Sequence, residues 1–258
     1  MKLRIMALTL LFILIPMASL AADLTVTFLD VGQADAIFIE CDGQTMLVDA
    51  GSVATANSVV QFLKEQGVEK IQYLVGTHPH EGHIGGFIKV LEQFAVESVW
   101  TARVDFPSEL QEATEEAVQN EGLESLPATL GRTFPLGDAT VTVVGPVGNE
   151  YDVLQNYSVV LRIDHGENSF LLTGDMEAQS ELELVDTASE IDVDVLKVGS
   201  HGGIAACTPE FLKAVSPSYA VISCGKDMAD SQVIAALEQA GATVLRTDQL
   251  GNIALVSD

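Results

Sequence analysis

Twelve apolar segments of strand length run through this chain, and their number and order limit its folds more than any other feature. They are "LTVTFLD", "DAIFIEC", "TMLVDAG", "IQYLVGT", "VESVWTA", "ATVTVVG", "YSVVLRID", "SFLLTGD", "VDVLKVG", "SYAVISCG", "ATVLRTD" and "NIALVSD". Short β-branched runs bounded by turn residues read as strands. Helical apolar periods lie between some of them, over 56–67, 85–94, 108–120, 208–215 and 231–241. Gly67 and Gly241 fit C-terminal caps, and Thr208 with Glu210 fits a helix start. Each half of the chain opens with strands and then alternates helix and strand. Two mixed sheets between outer helix layers suit that order better than one parallel sheet. The segment "FPLGDATVTVVGPVGNEYDV" reads as a hairpin near the midpoint rather than a domain boundary. No linker, low-complexity stretch or tandem repeat interrupts residues 23–258.

The first 22 residues read differently. Lys2 and Arg4 precede the uncharged run "IMALTLLFILIPMASLAA", and small residues stand at Ser19 and Ala21. A basic head, an apolar stretch and small residues before a cut are the pattern of a secretory signal peptide, cleaved after Ala21 or Ala22. The competing reading is an uncleaved anchor, but the run is short for a span and Pro16 interrupts it. The expectation is a secreted or extracytoplasmic body with no stable membrane insertion once the signal is removed. Membrane anchoring remains the alternative if it is not.

The formal net charge is -25, with 12 basic residues against 37 acidic, and loss of Lys2 and Arg4 makes it still more negative. Such a field repels polyanions, and no cluster of Lys and Arg offers a phosphate-binding patch. Polymeric nucleic acid is therefore disfavoured as a partner, and the expected substrate is an unidentified small molecule. Cys41, Cys207 and Cys224 are too few and too scattered for a disulfide framework.

Polar groups recur where strands end: Asp30, Asp49, His78, Asp175 and His201. A rigid sheet aims such groups while the following loop stays accessible. Three of the five histidines fall within "THPHEGH", at 78, 80 and 83. Pro79 restricts the backbone between the first two, and Gly85 and Gly86 follow the third at the start of a helical period. Imidazoles at this spacing, with a carboxylate brought back by the fold, make a borderline-soft divalent site best matched by zinc. Asp175 in "LLTGD" could supply that carboxylate or merely cap the helix after it. His165 in "RIDHGENSF" reads as a turn residue.

Taken together, "FLDVGQADA", "LVDAG", "THPHEGHIGG", "NYSVVLRI", "LLTGD", "DVLKVGSHGG", "TPEFLKAVSPSYAVIS" and "VLRTDQLGNIALVSD" resemble the metallo-β-lactamase superfamily. The similarity is to stand-alone relatives of the extracellular hydrolase domain of the DNA-uptake protein ComEC, and it covers nearly all of residues 23–258. The resemblance implies a four-layer αββα sandwich with a metal site at the open edge of its two sheets. It also implies that His78 and His80 bind a first ion and that Asp175 approaches or bridges the site. Asn156 falls near the place of another first-site ligand. His83 and His201 belong to a second site, and Asp175, His83 and His201 carry the catalytic roles. Asp30 and Asp49 are implied as supporting carboxylates. Asp35 is close to that group, though it could only satisfy a turn.

Departures from the family pattern cluster at the same place. Position 82, an aspartate in the pattern, is Gly82, which has no side-chain oxygen. Glu81 is adjacent, but a shift of one position aims its side chain elsewhere. Ser200, His201, Gly202 and Gly203 replace a pair of histidines followed by Gly-Ser, so Ser200 and Gly203 are altered and His201 keeps the second histidine. The segment "KDMADSQ" lacks the histidine and proline of the family loop. The expected cofactor is therefore one zinc ion, with another divalent metal or an empty site as alternatives. The expected function is a metal-dependent hydrolase acting on a small phosphoester or a related ester or amide, with a mononuclear or weakened centre. The alternative is a noncatalytic metal-binding or recognition protein on a degenerate hydrolase scaffold.

Overall fold

The computed structural model describes residues 22–187 and 190–258. The signal-like segment lies outside the described residues, apart from Ala22. Fourteen strands form two sheets of seven, in the orders β14-β1-β2-β3-β4-β5-β6 and β13-β12-β11-β10-β9-β8-β7. The first seven strands in chain order are β1 Leu24–Phe28, β2 Ile37–Cys41, β3 Gln44–Val48, β4 Lys70–Gly76, β5 Ala95–Thr101, β6 Ser125–Pro127 and β7 Thr133–Leu136. The rest are β8 Ala139–Gly145, β9 Val160–His165, β10 Asn168–Leu172, β11 Val195–Lys197, β12 Tyr219–Ile222, β13 Thr243–Arg246 and β14 Ile253–Ser257.

Both sheets are mixed. In the first, β1, β2 and β3 pair antiparallel and β3, β4, β5 and β6 parallel. In the second, β7 to β10 are antiparallel and β10 to β13 parallel. The parallel crossovers need covering helices. On the first sheet these are α1 Ala56–Glu65, α2 Glu81–Ile84, α3 Phe87–Gln93 and α4 Glu109–Asn120. The second half carries α5 Ala178–Thr187, α6 Pro209–Val215, α7 Ser231–Gln239 and the short α8 Thr247–Leu250.

Alternation along the strands splits the core into three layers. Met46 and Val48 of β3 face the second sheet, where Val141, Leu161 and Phe170 meet them. Leu47 between them faces outward onto Val59 and Leu63 of α1 and Phe87 of α3. On the other side Leu171 and Leu196 pack under Leu184 of α5, Phe211 of α6 and Leu237 of α7. Each such fully buried side chain contributes on the order of 1.5–3 kcal/mol. The helix starts are capped as their composition allows. Ser108 Oγ accepts from Gln111 N at 3.1 Å, and Thr208 Oγ1 accepts from Phe211 N at 3.3 Å.

Two strands lie outside the twelve apolar segments, β6 and β7, and both are edge strands. Each is short and contains a proline, Pro127 or Pro135, which a ladder tolerates only at an edge. A second finding concerns closure. The last strand, β14, returns to the first sheet and pairs antiparallel with β1, with Val26 opposite Leu255.

Candidate metal centre

The functional side chains come from loops after β1, β3 and β4 of the first sheet and after β10 and β11 of the second. These loops meet at one edge of the sandwich. The group begins with Asp49, which follows β3 in a left-handed conformation, φ 57°. Its Oδ1 accepts from Thr77 N at 2.8 Å, and its Oδ2 accepts from Thr77 Oγ1 at 2.7 Å. The same Oδ2 lies 2.7 Å from His83 Nδ1. That contact places the Nδ1 proton toward Asp49 and leaves Nε2 facing Asp175 Oδ2 at 3.3 Å.

His201 is held in a parallel way. Its Nδ1 donates to the carbonyl of Ser223 at 3.0 Å, and its Nε2 lies 3.5 Å from Asp175 Oδ1. To turn the imidazole inward, Ser200 and His201 both adopt left-handed backbone, φ 47° and 52°, and Gly202 continues the turn at φ 75°. Two consecutive non-glycine residues there cost about 1–2 kcal/mol each, strain of the kind that functional loops store. His78 directs Nδ1 to Thr77 Oγ1 at 3.2 Å and Nε2 to His80 Nδ1 at 2.9 Å and Asp175 Oδ2 at 3.7 Å. Three Nε2 atoms, one Nδ1 atom and the Asp175 carboxylate therefore converge.

Their electrostatics reflect crowding. Burial, reinforced by the neighbouring His83, pulls His78 well below the usual imidazole value. Burial and His83 lower His80 as well. Burial also opposes protonation of His83, but Asp175 and Asp49 outweigh it and hold that ring well above its usual value. Burial alone would raise Asp175, yet His83, His201 and Lys197 bring it well below the ordinary carboxylate range.

These residues suit a divalent metal. His78, His83 and Asp175 form one set whose donor atoms lie within 4.8 Å of one another, and Asp35, Asp175 and His201 form another. Asp175 Oδ1 and Asp35 Oδ1 are buried acceptors with no hydrogen-bond partner. Burying unpaired carboxylate oxygens is costly unless a cation satisfies them. Ring nitrogens anchored through Nδ1 with Nε2 directed inward are the usual preparation for ligation.

Several expectations are redirected. Asp30 does not support a histidine: it is exposed, its Oδ1 accepts from Gly32 N at 3.4 Å, and it shapes its own turn. Asn156 is buried, but its Oδ1 accepts from Glu177 N at 3.1 Å and Ser180 N at 3.4 Å. The amide oxygen is thus engaged at the start of α5 rather than turned to the imidazoles. Asp35 does more than close a turn. It is fully buried, ion-paired to Lys197 Nζ, and 3.7 Å from His201 Nδ1. Glu81 points outward, with Oε1 accepting from Val53 N at 2.8 Å. Gly82 leaves room: a Cβ there would meet Gln33 O at 3.4 Å and Ala34 Cβ at 3.6 Å, ordinary contacts. Ser200 supplies the carbonyl that accepts from Gly203 N at 2.8 Å and closes the turn around His201. His165 is a structural residue, bonded to Ser257 Oγ at 2.7 Å and to the carbonyl of Ala22 at 2.8 Å.

Sequence reasoning missed Lys197 and Ser158. Lys197 has no exposed surface and donates to the carbonyl of Gly174 at 2.8 Å. Its signal was present, since a lysine inside an apolar strand is almost never buried without a partner. Ser158 Oγ accepts from Asp175 N at 3.0 Å and lies 3.4 Å from His78 Nδ1. Nothing marked that serine in the sequence.

Two seven-stranded sheets, flanking helices and a His/Asp cluster at their open edge define the class of metal-binding αββα proteins. Residues 29–226 match the family described as "Metallo-beta-lactamase superfamily", and this chain belongs to that superfamily. It is 28% identical to ComE operon protein 3 of Bacillus subtilis (strain 168), over 95% of this chain and 34% of that protein. It is 27% identical to competence protein ComA of Neisseria gonorrhoeae, over 88% of this chain and 31% of that protein. The chain thus spans about a third of the length of these relatives. Among solved structures, the metallo-β-lactamase fold protein YhfI from Bacillus subtilis superposes with TM-score 0.57 at 12% identity, covering 90% of this chain and 99% of that one. CmlA, a diiron β-hydroxylase from Streptomyces venezuelae, superposes with TM-score 0.60 at 15% identity, covering 90% and 54%. These structural likenesses concern the fold. Among the described residues, no helix is long and apolar enough to cross a membrane.

Proposed function

We propose that this protein is an extracytoplasmic metal-dependent hydrolase acting on a small phosphoester, or a related ester or amide, through a centre that holds one divalent ion, zinc first. The observation carrying this reading is the convergence of three ring nitrogens, from His78, His83 and His201, on Asp175, with Oδ1 of that carboxylate unpartnered. His78, His83 and Asp175 would hold the ion, with His80 Nδ1 beside His78 Nε2 at 2.9 Å. A divalent cation there supplies Lewis acidity toward the scissile group and a water of lowered pKa.

The chain's own residues prepare the rest. Asp49 and the Ser223 carbonyl set the tautomers of His83 and His201, so that both Nε2 atoms face the reaction space. Asp175 Oδ1 is an acceptor able to orient a hydrogen-bonded nucleophile. Phe106, edge-on to His80 at 6.0 Å, together with exposed Ile204 and Met228 on nearby loops, suits a small substrate with an apolar part. The acidity argues against polymeric DNA, although one relative is named a competence protein. The basic, apolar and small-residue pattern of residues 1–22 supports export.

A second reading, a noncatalytic metal-binding relative, is favoured by one observation: Gly82 offers no oxygen, and Glu81 is turned to Val53 rather than to the site. Metal content of the purified protein, measured beside turnover of small phosphoesters by wild type and Asp175→Asn, separates the two. Bound ion with turnover lost in the variant supports the hydrolase. Bound ion without turnover on any ester supports the binding protein, and no bound zinc, manganese or iron defeats both.

A further inference from the structure

The ionisable groups packed into the centre do not balance. Asp35 and Asp49 have no exposed surface and Asp175 is 6% exposed, while Lys197, at 0%, is the buried cation among them. With the histidines neutral, three carboxylates and one ammonium leave a formal charge of about -2, which one divalent ion neutralises and two would overshoot. Lys197 cannot leave. It sits on β11, registered against Leu172 of β10, with Nζ donating to the Gly174 carbonyl at 2.8 Å. Nζ also pairs with Asp35 and lies 4.0 Å from Asp175 Oδ1, the oxygen that faces His201 Nε2 at 3.5 Å. The ammonium and any ion held by His201 would therefore draw on the same two carboxylates, Asp35 and Asp175.

We propose that Lys197 is a built-in second cation: its ammonium, paired with Asp35 beside Asp175, takes the charge-neutralising place of a second divalent ion and holds the centre at one. This rests on the reading that the centre binds a divalent metal, and it gives Gly82 a physical partner. An aspartate at 82 would halve the two-charge excess that a second divalent ion brings beside a fixed ammonium. With glycine at that position, the lysine completes the balance.

The test counts ions rather than turnover. Wild type, Lys197→Met, Asp35→Asn and the Lys197→Met/Asp35→Asn double variant are loaded with zinc, gel-filtered, and measured by elemental analysis and titration calorimetry, with circular dichroism to confirm folding. Wild type should hold one ion. Lys197→Met, with one more uncompensated carboxylate, should take up a second at least about tenfold more tightly than wild type does, and the double variant should return to one. Asp35→Asn, which leaves the ammonium in place, should weaken the first ion by about tenfold or more. A Lys197→Met protein with wild-type stoichiometry and affinity overturns the assignment while leaving the metal centre intact. If that variant does not fold, Asp35→Asn decides, and unchanged or tighter binding overturns the proposal. A wild type that binds no zinc removes the metal reading itself.

Discussion

Replacing Asp49 by asparagine isolates what a buried carboxylate does for a histidine it touches. In the native arrangement Oδ1 accepts from Thr77 N, and Oδ2 accepts from Thr77 Oγ1 and faces His83 Nδ1. Asparagine keeps its oxygen on Thr77 N–H, because the reverse orientation would set two donors against each other at 2.8 Å. Its NH₂ then faces His83 Nδ1, which becomes an acceptor, and the ring proton moves to Nε2. That atom points at Asp175 Oδ2 from 3.3 Å and can no longer offer a lone pair to a metal. Changes to groups that orient a metal-bound histidine typically cost 10–100-fold in affinity, or about 1.4–2.7 kcal/mol. Asparagine also tolerates the left-handed backbone at this position, so the variant should fold. Alanine should cost stability as well. It strands the buried Thr77 N–H, at about 1–3 kcal/mol, and leaves Thr77 Oγ1 only the longer contacts to His78 Nδ1 at 3.2 Å and His83 Nδ1 at 3.4 Å. Zinc titration calorimetry on Asp49→Asn, with a thermal melt as control, is the assay. A folded Asp49→Asn protein with wild-type zinc affinity would refute the tautomer argument.

Further outcomes follow from the same geometry. Gly82→Asp should raise affinity for a second zinc about tenfold or more, since a Cβ fits there and the carboxylate adds an oxygen donor; equal ion counts in Gly82→Asp, Gly82→Ala and wild type would show that position 82 does not face the metal. Zinc uptake should release protons and tighten as pH rises through neutrality, because Asp175 and Asp49 outweigh burial and keep His83 protonated above its usual range in the metal-free protein. Calorimetry in buffers of different ionisation enthalpy measures that release, and heats independent of buffer would contradict it. For stability of the metal-free protein the sign reverses: the His83 contribution is complete below the unfolded imidazole value and is lost as pH climbs through the raised folded value. Asn156→Ala should cost about 1 kcal/mol by uncapping α5 and leave zinc affinity unchanged; a large affinity loss would make Asn156 a ligand after all.

Much of the fold was legible because it rests on local pattern. Met46, Leu47 and Val48 show an apolar segment whose alternate faces are both buried, as in a sheet covered on two sides. β6 was not legible, because a short edge strand with a proline carries little of that pattern, and β7 was legible only as the first arm of the hairpin at "FPLGDATVTVVG". The return of β14 to β1 was not legible either, since pairing between distant segments leaves no mark on local periodicity. At the centre, the "THPHEGH" spacing announced the histidines. The partners of Asp30 and Asp35 could not be read from similar strand-end positions. One aspartate turns outward to its own loop, and the other is drawn inward by a lysine more than 160 residues away. Asn156 looked like a donor by position, yet its oxygen meets the α5 amides, a choice decided by where that helix begins.

The two sheets divide the centre between them. Asp35, Asp49, His78, His80 and His83 come from the first, and Asp175, Lys197 and His201 from the second. Asp35, Asp49 and His83 form a set within the first half, but both sets that include Asp175 draw on the two halves and assemble only when these dock. An ion held through Asp175 would therefore load only after the sandwich closes. An ion that binds only the closed form also acts as a clasp, adding stability in proportion to the logarithm of its free concentration. Without that ion the same chain would be easier to open and to digest.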